Sequence, residues 1–188
     1  MKRNTYAKEP ETFLESVWDF IKTLMISMVI VFLVANFVAR PIQVRGDSMY
    51  PTLESSSIGI SNVLGRKMSG LKRFDIAIIY LKDKDEYLVK RVVGLPGETI
   101  SYHGGTLYVN GEAVEEPFLD TWYRTQWGEP FMEDVEEITL EEGEYYCLGD
   151  NRPSSRDSRY YGPFYEEQIV AKGSFILYPF DQFGVKSW

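Results

Sequence analysis

Charge vanishes from the chain between residues 23 and 39. The heart of this stretch is Leu24-Met25-Ile26-Ser27-Met28-Val29-Ile30-Val31-Phe32-Leu33-Val34-Ala35. With its flanks it predicts a helix from about Val17 to Ala39. At about 1.5 Å per residue, such a helix crosses a hydrocarbon core of about 30 Å. Pro41, just after Arg40, ends it. Before the span, residues 1–22 are polar and mixed in charge, with Phe13, Leu14, Val17, Trp18 and Ile21 recurring at roughly helical spacing. The pattern therefore predicts an amphipathic lead-in over 1–22 and a single transmembrane anchor over 23–40. A cleaved signal peptide fits less well, because the apolar run is long and the lead-in is not a short basic segment. A buried core helix is rarely apolar all round. Lys2, Arg3, Lys8 and Lys22 precede the span, against Arg40 and Arg45 just after it, which favours a cytoplasmic N-terminus.

Beyond residue 53 the period shortens to that of strands. Residues 57–64, 74–80, 87–94, 144–148 and 171–178 read as strands. Residues 99–102 and 106–109 form a hairpin about His103-Gly104-Gly105, and Asn110-Gly111 marks the next tight turn. Residues 115–137 are acidic and aromatic without clear period and read as an inserted loop region. The expected class is mostly β, with residues 41–188 as one extracytoplasmic domain behind the anchor.

Composition narrows the partners. The chain has 188 residues and a net charge of -8, which argues against nucleic acid. Cys147 is the one cysteine, so no internal disulfide forms.

Three stretches carry candidate chemistry. In Gly46-Asp47-Ser48-Met49-Tyr50-Pro51-Thr52-Leu53, glycine permits a positive φ and Pro51 restricts its own φ and Tyr50. Such a turn can present Ser48 as a nucleophile, although an ordinary polar turn has the same composition. Only eight residue steps lead from Arg40 to Ser48. At 3.3–3.6 Å each, roughly, they hold Ser48 close to the bilayer, so a membrane-tethered substrate is expected. In residues 87–93 the strand period puts Leu88, Lys90 and Val92 on one face and Arg91 on the other. If that face is inward, desolvation lowers the lysine pKa. A base working near neutral pH needs a fall of about 3 from about 10.4, or about 4 kcal/mol. A lysine on a solvated face is the plainer reading. In residues 149–163, two aspartates, three arginines and three serines can build a rigid polar network, or a solvated loop with incidental pairs.

Taken together, the motifs resemble the bacterial type I signal peptidases of the Gram-positive, single-anchor kind. The likeness rests on residues 46–53, on Phe74-Asp75-Ile76-Ala77, on Lys90-Arg91-Val92-Val93-Gly94-Leu95-Pro96-Gly97-Glu98, and on Gly149-Asp150-Asn151-Arg152 with Ser155-Arg156-Asp157-Ser158-Arg159. It implies a folded-over antiparallel β domain and a membrane-bound endopeptidase that cleaves signal peptides from exported preproteins. It implies Ser48 as nucleophile, Lys90 as general base, Ser155 as the group orienting the amine, and supporting ion pairs Asp150–Arg91 and Asp157–Arg159. It implies no metal or organic cofactor, and small substrate side chains at the first and third positions before the cut.

The chain departs from some relatives at two places. Gly46 stands where Gram-negative members carry a serine that helps bind the oxyanion, leaving the Ser48 N–H as the secure donor. Phe74 replaces a smaller residue, and a local packing difference is expected there. Ile42, Met49 and Tyr50 either dip into lipid or line the cleft. Three other readings remain. A self-cleaving Ser–Lys repressor protease would need a DNA-binding segment where this chain has its anchor. A Ser–His protease would use His103, the only histidine. A non-catalytic scaffold of surface-protein assembly would be expected to lack Ser48 or Lys90.

Overall fold

The computed structural model describes residues 12–186, except Asp120 and Glu129. Most of the charged lead-in, including Lys2, Arg3 and Lys8, lies outside the described residues. The chain divides into two units, residues 1–37 and 38–188.

In the first unit, α1 runs over Phe13–Leu33 and continues as a wider π turn over Val34–Val38. Thr12 and Glu15 form a capping box, each side chain meeting the other's backbone N–H. The helical residues Phe13–Val38 number 26, and their most apolar 18-residue window has a mean hydropathy of 2.2; none of them is buried. They are long and apolar enough to cross a membrane. Thr23, Ser27 and Asn36 each return a side-chain hydrogen bond to the carbonyl four residues earlier, so their polar groups are met within the helix.

The second unit is mostly antiparallel β. Its larger sheet has eight strands: β1 (Ala39–Gln43), β2 (Ile58–Asn62), β3 (Ile76–Leu81), β4 (Glu86–Gly94), β9 (Glu144–Leu148), β10 (Phe164–Tyr165), β11 (Ile169–Tyr178) and β12 (Gly184–Lys186). They pair in the order β1-β2-β11-β3-β4-β9-β10, with β12 on β11. The smaller sheet pairs β5 (Thr99–His103), β6 (Thr106–Val109), β7 (Glu112–Val114) and β8 (Val135–Thr139) in the order β7-β6-β5-β8.

Several boundaries differ from the hydropathy reading. The residues just after the anchor form strand β1, because an Ala-Arg-Pro-Ile-Gln edge strand pairs with β2 on one side only. The predicted strand over 57–64 stops at Asn62. Its side chain accepts the Gly65 N–H at 2.6 Å and caps α2 (Val63–Ser69), ending the ladder. The aperiodic segment 115–137 holds α3 (Thr121–Trp127) and the start of β8. Phe118, Leu119, Tyr123 and Phe131 there bury together against Tyr50 and Phe74.

Candidate active site

The turn after β1 positions the serine. Gly46 takes φ +77° and its N–H donates to Ser55 Oγ at 3.2 Å. The chain then turns through Ser48, with Tyr50 N–H on the Asp47 carbonyl and Leu53 N–H on the Met49 carbonyl. Met49 and Leu53 are buried and act as the turn's anchors. Met49 is therefore core rather than lipid-facing. Ile42 lines the cleft described below and Tyr50 packs on Tyr123.

The lysine comes from β4. Glu86 and Tyr87 are exposed, Leu88 and Val89 half-buried and the rest of the strand wholly buried, because β9 pairs with β4 only from Arg91 onward. Lys90 sits at the junction, 2% exposed, opposite Ala77 of β3. Lys90 Nζ donates to Ser48 Oγ at 2.6 Å. Burial lowers the amine to about 8, with Arg159 helping, while Asp157, Asp150 and Cys147 pull it back up. Those two carboxylates explain why it stops short of neutrality.

Arg91 projects from the opposite face, as strand alternation requires. Its Nε and Nη2 donate to the two Asp150 oxygens at 2.8 and 2.7 Å, and both side chains are fully buried. Thr52 Oγ1 donates to the same carboxylate at 2.5 Å. Arg91 Nη1 donates to the Phe74 carbonyl at 2.8 Å, and the guanidinium lies 3.9 Å from the Phe118 ring. Phe74 itself adopts φ +71°, a conformation uncommon for a bulky residue.

The loop after β9 closes the site. Asp157 receives Arg159 Nε and Nη2 at 2.8 and 2.7 Å and the Gly149 N–H at 3.0 Å. Burial alone would raise its carboxyl. Arg159, the Gly149 N–H and the nearby Ser155 hydroxyl outweigh burial and hold it low. Ser155 does not make the bond to Lys90 that the resemblance implies. Its Oγ is buried beside Gly149, close enough to Asp157 to help hold that carboxyl low but outside good hydrogen-bond geometry. The amine is turned to Ser48 instead. Asn151, which sequence reasoning passed over, straps the nucleophile turn: its N–H donates to the Ser48 carbonyl at 3.1 Å and its Nδ2 to the Asp47 carbonyl at 3.0 Å. A Cβ at Gly149 would collide with Ser155 Oγ and the Ser48 carbonyl. Gly149→Ala is therefore expected to push the turn off Lys90 and lower kcat by about tenfold or more. Steady-state cleavage by the folded variant checks this.

A cleft of about 540 Å³ runs past Ser48 and Lys90. Residues 40–45 line it from one side and residues 85–90 from the other. Among the described residues, β1 lacks a partner on one edge, and β4 has none beside residues 86–90 apart from β3.

Comparison with known proteins now decides the family. The family described as signal peptidase, peptidase S26, matches residues 17–178. The chain belongs to it. This signal peptidase is 34% identical to signal peptidase IB of Staphylococcus aureus (strain COL) over 179 residues, covering 90% of this chain and 93% of the relative. It is 34% identical to signal peptidase I S of Bacillus subtilis (strain 168) over 172 residues, covering 89% and 92%. The crystal structure of a signal peptidase I from Enterococcus faecalis V583 superposes with a TM-score of 0.50 at 35% identity, covering 54% of this chain and 95% of that one. Membership makes the chain a serine endopeptidase, and the mostly antiparallel β domain agrees with the fold expected from its motifs.

His103 lies apart from this chemistry, and Cys147 neighbours it without reacting. His103 ends β5, exposed, with Asp134 at 3.7 Å. Cys147 is fully buried, and burial pushes its thiol up, so it is a packed core thiol.

Proposed function

We propose that this signal peptidase cleaves N-terminal signal peptides from exported preproteins by a Ser48–Lys90 dyad. The observation that carries the reading is one hydrogen bond, from a buried lysine amine to a serine hydroxyl at 2.6 Å. An amine lowered to about 8 is neutral in an appreciable fraction of molecules near neutral pH. Neutral Lys90 takes the proton of Ser48 as Oγ attacks the scissile carbonyl. It then gives that proton to the leaving amine. Water, deprotonated by the same amine, frees the acyl-enzyme. The Ser48 N–H, which makes no hydrogen bond among the described residues, is the donor available to the oxyanion. Once Ser48 is acylated, the buried Ser155 hydroxyl is the group left to orient the amine. Asp150–Arg91 and Asp157–Arg159 support the site without reacting.

The substrate lies extended in the cleft, pairing its backbone with the open strand edges. The apolar helix anchors the enzyme with its N-terminus cytoplasmic and the β domain outside. The short stretch between anchor and serine keeps the reaction near the lipid surface. No cofactor enters the chemistry.

Cleavage of a preprotein in detergent by Ser48→Ala and Lys90→Ala is the direct test. Both should lose activity at normal expression and folding, and retained cleavage by either would overturn the dyad. In the wild type, kcat/KM should rise with pH through a midpoint near 8 as the amine of the free enzyme loses its proton. A profile flat across that range would remove Lys90 as base.

A further inference from the structure

Three stretches far apart in sequence meet at this site: the Ser48 turn, the Lys90 strand and the loop after Gly149. Hydrogen-bond catalysis requires that they be held to within about 0.5 Å. The aperiodic segment after β7 touches all three. Glu116 pairs with Arg152 at 2.5 Å and accepts from Tyr102 Oη at 2.8 Å. Arg152 Nε in turn donates to the Gly149 carbonyl at 3.0 Å. Phe118 covers the Arg91 guanidinium at 3.9 Å and packs on Phe74 at 5.0 Å. Tyr123 meets Tyr50 edge-on at 5.0 Å.

We infer that Glu116, Phe118 and Tyr123 are positioning residues, a clasp that holds the nucleophile turn, the lysine strand and the closing loop in register. This inference rests on the dyad reading above. Each contact acts through a neighbour of a reacting group. Phe118 backs the strand on the face opposite Lys90, so it fixes where β4 presents the amine. Glu116 fixes the loop whose Asn151 holds the Ser48 carbonyl. Tyr123 braces the turn two residues beyond Ser48. The Glu116–Arg152 pair is almost wholly buried. An apolar pair of similar volume would support the fold as well, so a buried ion pair here is better understood as a device for register. Phe74 points the same way. A phenylalanine at φ +71° persists only where its surroundings over-determine it, and Phe118 is one of those surroundings.

The test is steady-state cleavage by the full-length enzyme in detergent across the pH range of the acid limb. Phe118→Ala is expected to lower kcat about 10- to 100-fold with KM within about twofold, since the cleft is untouched. Its acid-limb midpoint should move up from about 8, because a strand that has lost its backing no longer holds the amine in its dry position. Phe118→Leu, which restores bulk, should recover most of kcat. Glu116→Gln, nearly isosteric, should shift kcat and midpoint in the same directions, and it decides the matter if Phe118→Ala does not fold. The inference is overturned if the folded variants melt earlier but keep wild-type kcat and midpoint. Lys90→Ala is run beside them. If it is inactive while the clasp variants match wild type, only the clasp fails. If it cleaves normally, the dyad and the clasp fall together.

Discussion

Lys90→Met is expected to give a domain that is more stable than wild type near neutral pH and yet cleaves preprotein at least about a thousandfold more slowly. Both effects have one origin. The amine falls from 10.5 to about 8 chiefly because burial disfavours its charge. That fall corresponds to about 3 kcal/mol of penalty on the protonated folded state. Below about pH 8 the amine is protonated whether folded or not, and the penalty is present in full. Between about 8 and 10.5 the unfolded chain binds more protons than the folded one, so wild-type stability rises with pH. Above about 10.5 the amine is neutral in both states and the penalty is gone. Methionine fills similar space and carries no proton. Its advantage should be largest at or below about pH 8, at about 1 to 3 kcal/mol after the lost bond to Ser48 is counted, and should fade by about pH 10.5. Denaturant melts of both proteins across this range measure it. A variant no more stable than wild type at neutral pH would mean that burying the charged amine costs the fold nothing. The rate loss follows because no other base lies within reach: Lys90 is the one side chain hydrogen-bonded to Ser48 Oγ among the described residues.

Asp150→Ala should destabilise the domain by about 3–5 kcal/mol. Arg91 and Asp150 are both fully removed from water. Alanine would leave the guanidinium with one carbonyl and one aromatic face, and would strip Thr52 of its acceptor. A double replacement, Arg91→Met with Asp150→Leu, should recover much of that loss, because it removes both charges together. Chemical denaturation of the single and double variants gives the comparison. An Asp150→Ala penalty under about 1 kcal/mol would show that Arg91 is satisfied by other groups. Because Arg91 neighbours Lys90 and Asp150 sits in the loop that holds Ser48, the single variant should also lose activity beyond its loss of folded fraction.

Much of the domain was legible without coordinates, for identifiable reasons. The long apolar helix is a local property: some two dozen residues with little charge can be read one at a time. The strands bearing Lys90 and Cys147 alternate or run apolar in the usual way, and the two faces of β4 followed from period alone. That period correctly sent Arg91 away from Lys90. Ser48 stood out through its glycine and proline neighbours, and Asp150, Asp157 and Arg159 through sheer density of hydrogen-bonding groups.

Other features had no local signal. Glu116 and Phe118 lie in a segment whose hydrophobic spacing matches neither helix nor strand, because their partners belong to other elements. Asn151 looked like one more polar loop residue. The resemblance implies that Ser155 orients the amine, whereas its hydroxyl is packed beside Gly149 and Lys90 donates to Ser48. Residue order alone set the long apolar helix, the β class, and which hydroxyl and which amine are the candidates, since each depends on neighbours within a few residues. Only the tertiary structure decided that the amine is dry, that it meets the hydroxyl, and what holds the two in place. Burial and hydrogen-bond distance are set by chains of contact between residues some forty to one hundred positions apart.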